Sequence, residues 1–158
     1  INELVVMGGA IEVPGNVTPH AEFNIYNDPV AANIVFSSGM PITLVGLDVC
    51  TQTYLTRGDL PWVRSDTKAA RLTNRIFDSW FATHPESDRY DLCDPLAVVA
   101  ALRPDLLTHK RAKVVVETSD PERLGRTTAA YGEGPVKVVL GVDVPGSMGL
   151  MTRLLGGT

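Results

Sequence analysis

The chain has 158 residues and a formal charge of -4, from 18 acidic and 14 basic side chains. Like charges form no block, so nothing favours a nucleic acid or an anionic membrane as partner, and a neutral small molecule fits better. With 44% hydrophobic and 20% charged residues, the composition is that of an ordinary globular protein, read here as a single domain, 1–158. No apolar run approaches the ~20 residues that span a bilayer, and the N-terminus lacks a basic region followed by an apolar one, so a cytoplasmic location is expected. Cys50 and Cys93 are expected as free thiols, because a chain of this size needs no covalent staple. No repeat, low-complexity tract or linker divides the chain.

Residues 3–7 are apolar, rich in valine and end at Gly8-Gly9, which predicts a buried strand delivering the chain to a polar loop. The chain begins at Ile1 without a methionine and enters this strand almost at once. The expectation is that a preceding half has been removed, lost or supplied by another polypeptide, leaving an exposed apolar face or a sheet edge where it would pack. The loop that follows, Gly15-Asn16-Val17-Thr18-Pro19-His20-Ala21-Glu22-Phe23-Asn24, is too polar and irregular for simple core. Read as extended, it projects Glu22 and Asn24 to one side and Phe23 to the other. A carboxylate beside an amide suits a polyol such as ribose, and Asn16 adds a third contact. His20 either faces this pocket or is structural.

Asp28-Pro29 reads as an N-cap followed by a first-turn proline, with Ala31, Ile34 and Val35 on a helical apolar face that Gly39 and Pro41 end. Ile42 to Leu47 is the next buried strand. It ends at Asp48, which is either a capping or hydrogen-bonded aspartate or a direct participant in a site at a carboxyl strand end. Leu60 to Phe81 is consistent with one long helix, diluted early by Arg64, Ser65 and Asp66 and ended by His84-Pro85. Trp80, Phe81 and Tyr90 either stack on a planar base or close the core beneath a loop. In Leu92-Cys93-Asp94-Pro95, Asp94 reads as an N-cap and Pro95 as the first helical residue. Beyond Pro104, strands are predicted from Lys113 to Glu117, Thr127 to Tyr131 and Val136 to Val142, with a terminal helix from Gly146 to Leu155.

Met7-Gly8-Gly9, Gly15-Asn16, Thr18-Pro19, Ala21-Glu22-Phe23-Asn24 and Asp28-Pro29 together resemble the ribose-binding segment of the inosine-uridine nucleoside hydrolases, and Gly125-Arg126-Thr127 resembles the family's closing segment. The match covers only the second half of that family. Its aspartate-rich motif, Asp-Thr-Asp-Pro-Gly-x-Asp-Asp, which carries most calcium ligands, is absent from these residues. The resemblance implies an α/β fold, the C-terminal part of an open, mostly parallel, Rossmann-like sheet with flanking helices. It also implies hydrolysis of the N-glycosidic bond of ribonucleosides, with Met7, Asn16, Glu22, Phe23, Asn24 and Tyr90 binding substrate. Where the family has His-Asp-Pro, this chain has Cys93-Asp94-Pro95: Asp94 matches the calcium ligand, and Cys93 stands at the position of the histidine near the leaving base. Calcium takes about 6 to 8 oxygens, so Asp94 alone makes no tight site. The partners implied are a ribonucleoside, the missing N-terminal half or a second chain, and further copies in a homo-oligomer. The rival readings are a non-catalytic nucleoside-binding module and one subunit of a split assembly. No Ser-His-Asp order, phosphate loop, zinc spacing or dinucleotide fingerprint points elsewhere.

Overall fold

Strand β2 (Ile42–Val45) is the axis of the molecule, with all four residues buried. Alternate side chains leave a strand on opposite faces, and the two hydrophobic cores divide along that alternation. Ile42 and Leu44 enter one core, and Val45 enters the other. In this computed structural model, which describes residues 2–156, β1 (Leu4–Met7) pairs parallel to β2, and β2 pairs parallel to β7 (Val136–Val142). The long β5 (Leu107–Val116) then runs antiparallel to β7, and β6 (Thr127–Tyr131) antiparallel to β5, giving the order β1-β2-β7-β5-β6.

Helices cover both faces, as an α/β sheet requires. Ile25 of α1 (Phe23–Asn27) and Phe36 of α2 (Pro29–Ser37) pack with Leu44, Val114 and Val138. On the opposite face, α3 (Leu47–Cys50), α4 (Lys68–Thr83), α5 (Cys93–Leu102) and α6 (Val144–Gly156) surround Val45, Leu96, Val99, Val139 and Met151. A short antiparallel pair, β3 (Tyr54–Thr56) with β4 (Arg89–Asp91), lies apart from the main sheet and leads into α5. No helix among the described residues is long and apolar enough to cross a membrane.

Several sequence expectations are corrected here. The strand over residues 3–7 is half-buried instead of buried, because it lies at the sheet edge with a partner on one side only among the described residues. Ile1 lies outside those residues. The helix expected from Leu60 begins at Lys68, where the Thr67 hydroxyl accepts the Ala70 N–H at 3.0 Å; the segment before it is held by Asn74, whose amide exchanges hydrogen bonds with the Val63 backbone. The strand expected at Lys113 starts at Leu107, and the one expected to reach Leu47 stops at Val45.

Candidate functional site

The carboxyl ends of the parallel strands point to one end of the sheet, the place where ligands gather in open α/β folds. At the end of β1 the chain turns at Gly9, whose φ of 80° lies in the left-handed region open to glycine. A side chain at Gly46, beyond β2, would place its Cβ 2.8 Å from the Gly9 carbonyl, so the two strand ends approach as backbone against backbone. Asp48 secures this contact from the first turn of α3. Its carboxylate accepts the N–H groups of Ile11 at 3.0 Å and Glu12 at 2.6 Å, which is the hydrogen-bonded role considered for it.

The polar loop does not remain extended through Asn24. Glu22 is the N-cap of α1, and the helix begins at Phe23, so Glu22 and Asn24 do not share a face by strand alternation. The reason is the Glu22 carboxylate itself. Only 2% exposed, it accepts the Asn24 N–H at 2.9 Å and the Ile25 N–H at 3.1 Å, groups that the first helical turn leaves without partners. It also accepts the Gly9 N–H at 3.1 Å and so joins α1 to the end of β1. Asn16 accepts the Phe23 N–H at 2.9 Å, and Thr18 folds the loop back by accepting the Ala21 N–H at 3.0 Å. The exposed Asn24 donates its side-chain amide to the Met7 sulfur at 3.1 Å, leaving its carbonyl oxygen open. Phe23 is 55% exposed, and His20 is exposed as well.

The second part of the site is the passage from β4 into α5. Cys93 opens the helix with Leu92 as its N-cap and no side-chain cap bond, so the expected capping role of Asp94 is not observed. Asp94 lies exposed in the first turn, where its charge favours the helix dipole. Tyr90 packs edge-on against Phe77 and Trp80, with ring centroids 5.1 and 4.9 Å away. Phe81 is buried beneath Trp80, and Trp80 stacks on His84. Burial pushes the Tyr90 hydroxyl above its ordinary pKa, and the charges of Asp94 and Cys93 add to the rise.

The Cys93 thiol is drawn below its ordinary pKa by its hydrogen bond with Cys50, against burial and the nearby carboxylates of Asp91, Asp94 and Glu22. Cys50 is pushed far up by the same bond, then by burial. Sequence reasoning missed Asp91 and Thr127. Burial raises the pKa of Asp91, and its Oδ1 lacks a hydrogen bond, although Arg89 Nε lies 3.1 Å away in an ion-pair contact off the N–H direction. Thr127 Oγ1 is buried without a partner close to Gly9, at the start of β6, where Arg126 forms an isolated bridge with Ala21. An alternating strand pattern signals only that Thr127 faces inward, not that its hydroxyl stays unpaired.

Asp94 also stands at the rim of a groove of about 390 Å³ between α4, α5 and α6, walled by Trp62, Ile76, Phe77, Val98 and Leu154. For a metal, the donor set is thin. Among the described residues no three His, Cys, Asp or Glu side chains are grouped to hold an ion. Asp94 makes no side-chain hydrogen bond there, and a lone carboxylate does not fit the oxygen cage that calcium requires.

The family model for the inosine-uridine preferring nucleoside hydrolases matches residues 1–148. Uridine nucleosidase 1 of Arabidopsis thaliana is 36% identical over 92% of this chain and 48% of its own length. Among solved structures, a plant nucleoside hydrolase superposes with a TM-score of 0.89 at 33% identity, covering 99% of this chain and 54% of its own. A purine-preferring ribonucleoside hydrolase from Gardnerella vaginalis gives 0.86 at 35%, covering 98% and 52%. The chain thus spans about half the length of the relatives it matches.

Proposed function

The chain belongs to the inosine-uridine preferring nucleoside hydrolase family, and from that premise we propose that it supplies the sugar-gripping part of an enzyme that hydrolyses the N-glycosidic bond of ribonucleosides. The observation that carries this reading is the Glu22 latch. A buried carboxylate fixes the end of β1 against the start of α1, and so presents Met7, Asn16, Phe23 and Asn24 around one strand end. Asn24 has an unused carbonyl oxygen and Asn16 an unused amide group, both suited to ribose hydroxyls. Contacts that tighten as the ring flattens towards a ribosyl cation lower the barrier and do not merely bind the substrate. Glu22 acts on the sugar mainly through the backbone it holds, since its oxygens already accept three N–H groups.

In this reading Cys93, which stands at the family's histidine position, carries the proton to the departing base. The apolar groove next to Asp94 suits a flat heterocycle. Asp94 is the chain's one contribution to a calcium site. The remaining ligands must come from outside these residues, so no step is assigned to the metal.

A second reading, a subunit of a split assembly, is favoured by β1. Its outer edge is unpaired among the described residues, and a complementary N-terminal half can add a strand there. The deciding experiment is ribose release from inosine and uridine by the 158-residue chain, with and without calcium, alone and co-expressed with the N-terminal half of a homologue. Release only from the co-expressed pair supports both the reading and the split. Release from neither, in spite of nucleoside binding, leaves a binding module, and absence of binding overturns the sugar-gripping role.

A further inference from the structure

The turn between β5 and β6 is wound by its own backbone. Gly125 N–H donates to the Glu117 carbonyl, Glu117 N–H to the Arg126 carbonyl and Arg126 N–H to the Arg123 carbonyl, each at 2.9 Å. Gly125 takes a left-handed φ of 79°, and a Cβ there would lie 3.0 Å from the Tyr26 Cα, so the turn is also seated against α1. Side chains leave a strand alternately: Thr127 is buried, and Arg126 and Thr128 are exposed on the other face. There they share a cavity of about 330 Å³ with Arg123, Thr118, Glu117 and Asn33 of α2.

Little within the chain occupies the two arginines. Among the described residues the Arg126 guanidinium makes no ion pair or hydrogen bond, and Arg123 reaches Asp120 only at 3.8 Å. Asn33 Oδ1 accepts the Val116 N–H at 3.1 Å, which leaves its NH2 group free to donate. Glu117 is the one carboxylate in the lining, and its Oε1 accepts the Ser119 N–H, the Ser119 hydroxyl and the Asp120 N–H. Three donors thus offset its charge beside two uncommitted cations.

We propose that this cavity binds a phosphate group, either free or as a monoester, gripped by Arg123 and Arg126 with the Asn33 amide and the Thr118 hydroxyl as further donors. Guanidinium forks take oxygens two at a time. A phosphate offers enough oxygens for two forks, whereas a carboxylate fills only one. The volume lies within the range of small-molecule sites and exceeds what the inorganic ion alone needs. None of these residues belongs to the sugar-gripping set, so the inference stands whether or not the chain takes part in nucleoside hydrolysis.

The test is calorimetric titration of the purified 158-residue chain with inorganic phosphate and, separately, with glycerol 3-phosphate, at an ionic strength fixed with chloride. Arg123→Gln and Arg126→Gln should each weaken binding about tenfold, the loss of a charge-assisted contact. Arg153→Gln, which removes an exposed charge from α6, should bind as the wild type does. Circular dichroism checks that each variant is folded, and if one arginine variant fails, the other decides. Tighter binding of the ester assigns the site to a phosphate monoester, and equal or weaker binding assigns it to the free ion; either outcome supports the proposal. Three results would overturn it: no saturable binding of either compound below about 10 mM, equal weakening by all three substitutions, or binding that neither Arg123→Gln nor Arg126→Gln changes.

Discussion

Two carboxylate-bearing regions make up the candidate site, and they use their charge in opposite ways. At the start of α1, Glu22 is buried and its two oxygens accept three backbone N–H groups. At the passage from β4 to α5, Asp91 keeps a buried oxygen without a hydrogen bond, and Asp94 stands exposed without a side-chain partner. A buried carboxylate that holds three backbone N–H groups fixes the chain around it. One that is exposed without a side-chain partner, as Asp94 is, keeps its oxygens towards solvent. The first region is therefore preformed, and in the second Asp94 is the carboxylate that faces solvent.

Glu22→Ala leaves the Gly9, Asn24 and Ile25 N–H groups without their acceptor, two of these bonds being buried, and should lower stability by about 3 kcal/mol in urea denaturation. A loss below about 1 kcal/mol would show that the latch is not what holds the strand end. Asp48→Ala removes the acceptor of two less buried N–H groups and should cost about 1 kcal/mol, read from the same midpoints.

Asp91 sharpens the contrast through pH. Its pKa is raised by burial above the ordinary 3.8, so the native state binds more protons than the unfolded one in the window just above that value. Stability should then fall as pH rises from 3.8 through the native pKa. Asp91→Asn should remove this fall, which urea midpoints at pH 4 and pH 7 would reveal. Glu117 gives the reverse sign. Backbone and hydroxyl donors of Ser119, with the Asp120 N–H, hold it at about 2, so its contribution is present above 4.5 and lost as pH drops towards about 2. The smallest effect on stability is expected at Asp94. Asp94→Asn should change the urea midpoint by no more than about 0.5 kcal/mol, while reducing turnover of the assembled enzyme more than about tenfold, or roughly 1.4 kcal/mol. Unchanged turnover would remove Asp94 from the site.

Much of the fold could be read in advance. The strands at Thr127–Tyr131 and Val136–Val142 and the Asp28 cap on Pro29–Ser37 are visible because each depends on residues within a few positions of one another. The missed boundaries have tertiary causes. Leu60 to Asp66 carries enough apolar residues to pass for helix, but Asn74 binds the Val63 backbone and holds the segment in another path.

By itself the sequence determined the two site motifs, the residue types they offer and the family that they resemble, because those follow from order and spacing along the chain. Tertiary structure alone decided what each polar group does. Glu22 became a cap because Gly9 and Ile25 converge on it, and Cys93 came to lie against the core that α3 and α5 share. Hydrogen-bond satisfaction and burial depend on which distant backbone arrives beside a side chain, and local spacing carries no record of that.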